Sequence, residues 1–189
     1  MLIMPREPLR SITARAAAEL ALVRVINEYG EMPNFVVLGG LVPALLCGNS
    51  AWMHAGTTDI DVQADEGQLK CVSARVAGLA GFLMAKTAAA HSRSKPQDWY
   101  DIAFVLLNND LGGVEAAAAR VKTVFPKVLD GPGRTWLIEL HANFTDSQSQ
   151  GVTAYVSQMS LDHPELELVS ISADAILAVG QFCEGIGLL

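Results

Sequence analysis

FVVLGGLVPALLCGNSAWMHAGTTDIDVQ, residues 35–63, reads as a buried strand, a glycine turn, a short helix and a second strand. Residues 35–38 form a continuous apolar run of the kind that fills a sheet position covered on both faces. Gly39 and Gly40 turn directly into a helix over 41–47, and backbone N–H groups at a helix start form a site suited to phosphate. The run TDIDVQ at 58–63 alternates polar and apolar residues. Side chains at i and i+2 share one face of a strand, so Asp59 and Asp61 project together, opposite Ile60 and Val62. Two adjacent carboxylates repel unless a cation lies between them, and a divalent metal is the usual one. A phosphate cradle about 20 residues ahead of such a pair points to magnesium-dependent phosphoryl or nucleotidyl transfer.

Upstream, residues 9–29 carry apolar positions at Ile12, Ala16, Leu20, Val23 and Ile26, the spacing of a helix that Gly30 ends. Downstream, 64–77 carries no clear period. An Ala-rich helix with Lys86 is predicted over 78–92. After the turn SRSKP, Pro96 opens another over 97–108, with Asp98, Tyr100 and Asp101 in its early turns. Trp99, Tyr100 and Asp101 read as structural, beside a buried side of Ile102, Phe104, Val105 and Leu106. A loop at 109–113, a helix over 114–124, a turn at DGPGR (130–134) and a strand over 135–141 follow. A polar stretch, TDSQSQG, precedes a last helix over 173–183.

Composition narrows the classes. The chain has 189 residues, of which 51% are hydrophobic, enough for one domain (1–189) with a substantial core and a helical lobe over 78–125. No apolar, uncharged run of about 18 residues occurs, so no membrane span is expected. The N-terminal MLIMPREPLRS lacks the order of a signal peptide, which makes a cytoplasmic location the expectation. A net charge of −7 argues against a broad basic face for duplex nucleic acid. Cys47, Cys71 and Cys183 form no CxxC pair and read as buried free thiols rather than a disulfide or zinc site. His54 stands near the proposed chemistry and His141 ends the predicted strand 135–141, so either can approach a substrate, but no Ser-His-Asp or His-x-x-His arrangement occurs. Arg93 and Lys95 lie in the turn between two helices, where they either meet a polyanionic acceptor or solvate the turn.

The order strand, Gly-Gly, helix, Thr-x-Asp-x-Asp resembles the nucleotidyltransferase superfamily, whose fold is that of DNA polymerase beta. Lys86 followed by HSRSKPQDWYDIAFVLLNN (91–109) is similar to the Lys and Arg/Lys-x-x-Asp-x-Tyr-Asp-Ile motifs of AbiEii-type nucleotidyltransferases, many of them toxins of toxin–antitoxin pairs. The matched pieces span 35–63 and 83–108.

The resemblance implies an α/β (α+β) fold: a small mixed β-sheet packed by helices on one side, with a helical C-terminal part. It implies that Gly39 and Gly40 hold the triphosphate, Asp59 and Asp61 bind magnesium, Lys86 contacts phosphate and Asp98 completes the polar site. Two metal ions about 3.5–4 Å apart are then expected. Positions 62–85, 24 residues, separate Asp61 from Lys86. The candidates for a third carboxylate are Asp65, Glu66 and Glu139. The implied reaction moves a nucleoside monophosphate from a nucleoside triphosphate to a hydroxyl of RNA, protein or a small molecule, with an antitoxin as a partner. A catalytically degenerate binding or regulatory protein, and a small-molecule transferase of the antibiotic-modifying type, are the alternatives.

Overall fold

The computed structural model describes Leu20 and residues 36–37, 41–52, 54, 75–93 and 95–189. The predicted strand 58–63 and Gly39, Gly40, Asp59, Asp61, Asp65, Glu66 and Cys71 lie outside them, as does the predicted helix 9–29 apart from Leu20.

The described residues are organised around one helix. α3, Pro96–Asn108, buries every residue from Asp98 to Leu106, so all its faces are covered there. Its neighbours are a short helix α1 (Val42–Leu46), α2 (Leu79–Arg93), α4 (Gly113–Val124), α6 (Gln150–Asp162) and α7 (Leu168–Ile186). A single 3-10 turn, Val128–Asp130, leads into α5 (Pro132–Ala142), which packs on α2 and α7. The core is correspondingly built from helix faces: Phe82 and Leu83 of α2, Trp99, Ile102 and Phe104 of α3, Leu137 and Leu140 of α5, and Val179 and Phe182 of α7.

This overturns the α/β expectation. The described residues are 72% helical. Among them the β structure amounts to a two-residue parallel ladder, β1 (Val36–Val37) beside β2 (Arg75–Val76). A ladder of that length cannot form a layer for helices to cover, and the apolar mass lies between helices instead.

The helices predicted over 78–92, 97–108 and 114–124 are α2, α3 and α4 to within about a residue at each end. The predicted strand 135–141 is instead the body of α5. Aromatic and β-branched residues suggest a strand there, but Leu137 and Leu140, three apart, are the buried pair, while Ile138 is exposed. That is helical spacing. α6 has no counterpart among the predicted elements, and the last helix extends well beyond 173–183.

α7 is long and apolar enough to cross a membrane by length and composition alone. Its Ile171, Ala175, Ala178, Val179, Phe182 and Ile186 are buried, and it packs on α3, α4, α5 and α6.

Two local devices fix the segment that matters for the site. Between α3 and α4, Gly112 and Gly113 take φ of 116° and 70°, a left-handed pair that residues with a Cβ adopt only at a cost. The Asn109 amide closes the same turn by donating to the carbonyls of Val105 and Gly113. The next residue, Asp110, accepts the backbone N–H groups of Gly48 and Asn49, each at 2.9 Å, and its own N–H donates to Leu46. Ser50 Oγ donates to Asn108. The chain leaving α1 is thereby tied to the C-terminal end of α3.

Candidate functional site

The spacing of charges along α2 and α3 brings them together. On α2, Leu79, Leu83, Lys86, Ala90 and Arg93 recur at three and four residues and form one stripe. Most of that stripe is apolar and faces the core, so Lys86 enters the interior and only 6% of its surface remains exposed. On α3, Asp98 and Asp101 are three apart and share a face. Because α2 packs against α3, the cations and carboxylates meet.

Lys86 Nζ lies 2.9 Å from Asp98 Oδ1 and 2.5 Å from Asp101 Oδ2. Arg93 grips Asp98 with two N–H groups, Nε to Oδ2 at 2.7 Å and Nη2 to Oδ1 at 2.8 Å. His54 Nε2 is 3.0 Å from Asp101 Oδ1. An ionised carboxylate only accepts, so Nε2 is the nitrogen that carries the proton. The His54 ring stacks on Tyr100 and meets Phe104 edge-on. The chain of contacts therefore runs His54, Asp101, Lys86, Asp98, Arg93. It begins fully inside the protein and ends at a guanidinium whose side chain is 51% exposed.

Two lysine or arginine charges face two carboxylate charges, and the opposing charges lie close enough to offset much of the cost of their removal from water. Burial pushes the Asp98 carboxyl up, but the Arg93 hydrogen bond and the Lys86 charge outweigh it and hold the group below its ordinary value. Asp98 is thus an anion at neutral pH, fixed by a bidentate fork.

His54 reaches this site because of the tether at Asp110. Ser50 is bonded at Asn108 and His54 at Asp101, so four residues of chain retrace seven residues of α3. That is about 10 Å along a helix axis, in the direction of Asp98.

Of the residues singled out from sequence, Lys86 and Asp98 are brought together. Glu139 lies on α5, not on a strand, and its carboxylate pairs with His91 of α2. Among the described residues, no group of three His, Cys, Asp or Glu side chains is arranged to hold a metal ion. Asp101 and His54, which sequence reasoning left as structural or scattered, are members of the cluster. So is Arg93, placed by sequence in a turn. The signal for Asp101 was present: a lysine on an apolar stripe needs a buried counter-charge, and two carboxylates at i and i+3 on the following helix supply it.

Cys47 and Cys183 are free, buried thiols, each pushed up to about 12, Cys47 by burial and the charge of Asp110, Cys183 by burial. Neither is a nucleophile at neutral pH. No family model, curated protein or solved structure matches the chain.

Proposed function

We propose that the protein transfers a nucleoside monophosphate from a nucleoside triphosphate to an acceptor hydroxyl in RNA, protein or a small molecule. The observation that carries this reading is Lys86, buried among carboxylates although lone lysines are rarely found inside. Its neighbours, Asp98 and Arg93, come from the same motif region, and clustered, buried ionisable groups mark functional sites.

In this proposal Gly39 and Gly40 receive the triphosphate, and Asp59 and Asp61, five and seven residues beyond His54, hold magnesium. When bound, the metal neutralises charge on the phosphate oxygens. Lys86 presents an ammonium that serves carboxylate or phosphate oxygen alike. Asp98, kept ionised by Arg93, holds Lys86 in register, and Asp101 fixes it from the other side. Fixed charges of this kind stabilise a developing phosphoryl charge without reorganising. A cognate antitoxin fits the same reading as a partner.

A second reading is favoured by the charge balance. Asp98 and Asp101 already match Lys86 and Arg93, so phosphate must compete with carboxylates in place. A protein that binds nucleotide, or a regulatory partner, without catalysis fits that balance.

Incubation with each labelled nucleoside triphosphate and magnesium, with total RNA and total protein as acceptors, separates the two. Transfer predicts label on an acceptor, lost in Asp59→Ala/Asp61→Ala and in Lys86→Met protein that is still folded. Binding without incorporation selects the second reading, and absence of both rejects the nucleotide assignment.

A further inference from the structure

A cleft of about 580 Å³ lies between the N-terminal turn of α3 and the outer face of α6. Its wall is polar but uncharged. Gln97, Gln150, Gln158, Thr153 and Ser157 line it, with Tyr100 behind, and no lining residue carries a charge. Carboxamides and hydroxyls each donate and accept, so the wall suits a neutral ligand bearing both kinds of group. Pro96, Ala154 and Leu161 add apolar surface for a flat face. Gln158 is oriented, since its Nε2 donates to Asp162 at 2.9 Å and its Oε1 is left at the other end of the amide. The volume falls within the range of small-molecule sites.

The cleft adjoins the ionic cluster. Gln97 precedes Asp98 in sequence, and Tyr100, which closes the cleft, stacks on the His54 ring at 5.0 Å. A ligand seated there has an uncharged, hydrogen-bonding end against α6, while Gln97 on the opposite wall is followed in α3 by Asp98, the carboxylate that Arg93 grips. A nucleobase has that uncharged, hydrogen-bonding character, and amide side chains read base edges by paired donors and acceptors.

We infer that this cleft is a nucleobase subsite, with α6 supplying the groups that read the base. The choice of a nucleoside triphosphate as ligand rests on the transfer reading above; the cleft's preference for a neutral heterocycle rests on its lining. The test is titration of the full chain with adenosine, guanosine, cytidine and uridine, alongside glucose and inorganic tripolyphosphate, followed by saturation-transfer NMR and calorimetry. At least one nucleoside is expected to bind and glucose is not. Ser157→Trp, which fills the cleft from an exposed position, and Gln158→Leu are each expected to weaken nucleoside binding about tenfold, a change of about 1.4 kcal/mol. Both are expected to leave tripolyphosphate affinity within about twofold.

The inference is overturned if no nucleoside binds at about 10 mM, if glucose binds equally, or if both folded variants bind nucleoside like the wild type. Nucleoside binding without nucleotide transfer removes the transfer reading and leaves the subsite. Transfer whose KM for nucleotide is unchanged in both variants does the reverse.

Discussion

Replacing Lys86 with methionine keeps the length and apolar stem of the side chain and deletes one charge, so it tests the cluster with little change in packing volume. Asp98 and Asp101 then share the interior without the ammonium that lies 2.9 Å and 2.5 Å from them. Breaking a buried ion pair from one side costs about 3–5 kcal/mol, because a charge is left uncompensated. Here Arg93 still forks Asp98 and His54 still donates to Asp101, which sets the expectation at the lower end, about 3 kcal/mol. For a chain of this size each kcal/mol moves Tm by about 2–4 °C, so the midpoint should fall by about 6–12 °C. Urea denaturation followed by circular dichroism measures the free energy directly, with Lys122→Met on the exposed face of α4 as a control expected within about 0.5 kcal/mol of wild type. Adding Asp101→Asn to Lys86→Met removes the stranded charge while keeping an acceptor for His54, and should recover at least half of the loss. A Lys86→Met loss below about 1 kcal/mol, or no recovery in the double variant, refutes the claim that these charges are coupled in the interior.

Asp98, held below its ordinary value, contributes stability that is fully present above the unfolded carboxyl value of about 3.9 and is lost as pH falls from there through its lower folded value. Unfolding free energies measured from pH 6 down to pH 3 should therefore drop more steeply for wild type than for Asp98→Asn; equal slopes contradict it. Gly151→Ala would bring a Cβ to within 2.3 Å of the Phe144 ring and 2.6 Å of the Asn143 carbonyl, and should destabilise by about 1–3 kcal/mol. Gly180→Ala, in the interior of α7 with open space around it, should instead stabilise by about 0.5–1 kcal/mol, so melting curves of the two variants should move in opposite directions. In Cys71→Ser protein, a thiol-specific reagent should label Cys47 and Cys183 in the native state far more slowly than in denaturant; rapid native labelling would contradict their burial.

The positions of α2, α3 and α4 were legible in the residues because an amphipathic period, a proline at a helix start and a glycine pair at a turn are local signals. Lys86 and Asp98 were also found from the sequence, through a motif rather than through any reading of their contacts. The strand expected at 135–141 failed where local composition and spacing disagree. Trp136 and Ile138 suggest β structure, yet Leu137 and Leu140 turn toward α2 and α7 together. A helix buried on all sides, like α3, shows no stripe to distinguish its faces, so its role as the centre was not visible either.

What the sequence determined by itself was the set of helices at 79–93, 96–108 and 113–124 and the charges they carry, since both are properties of neighbours along the chain. The tertiary structure decided which charges meet. Packing α2 on α3 turned a lysine on an apolar stripe into the hub of an ion cluster, and the Asp110 tether carried His54 back along α3 to Asp101. Helix periodicity acts over a few residues, whereas the cost of a buried charge is answered by whichever opposite charge the fold brings beside it.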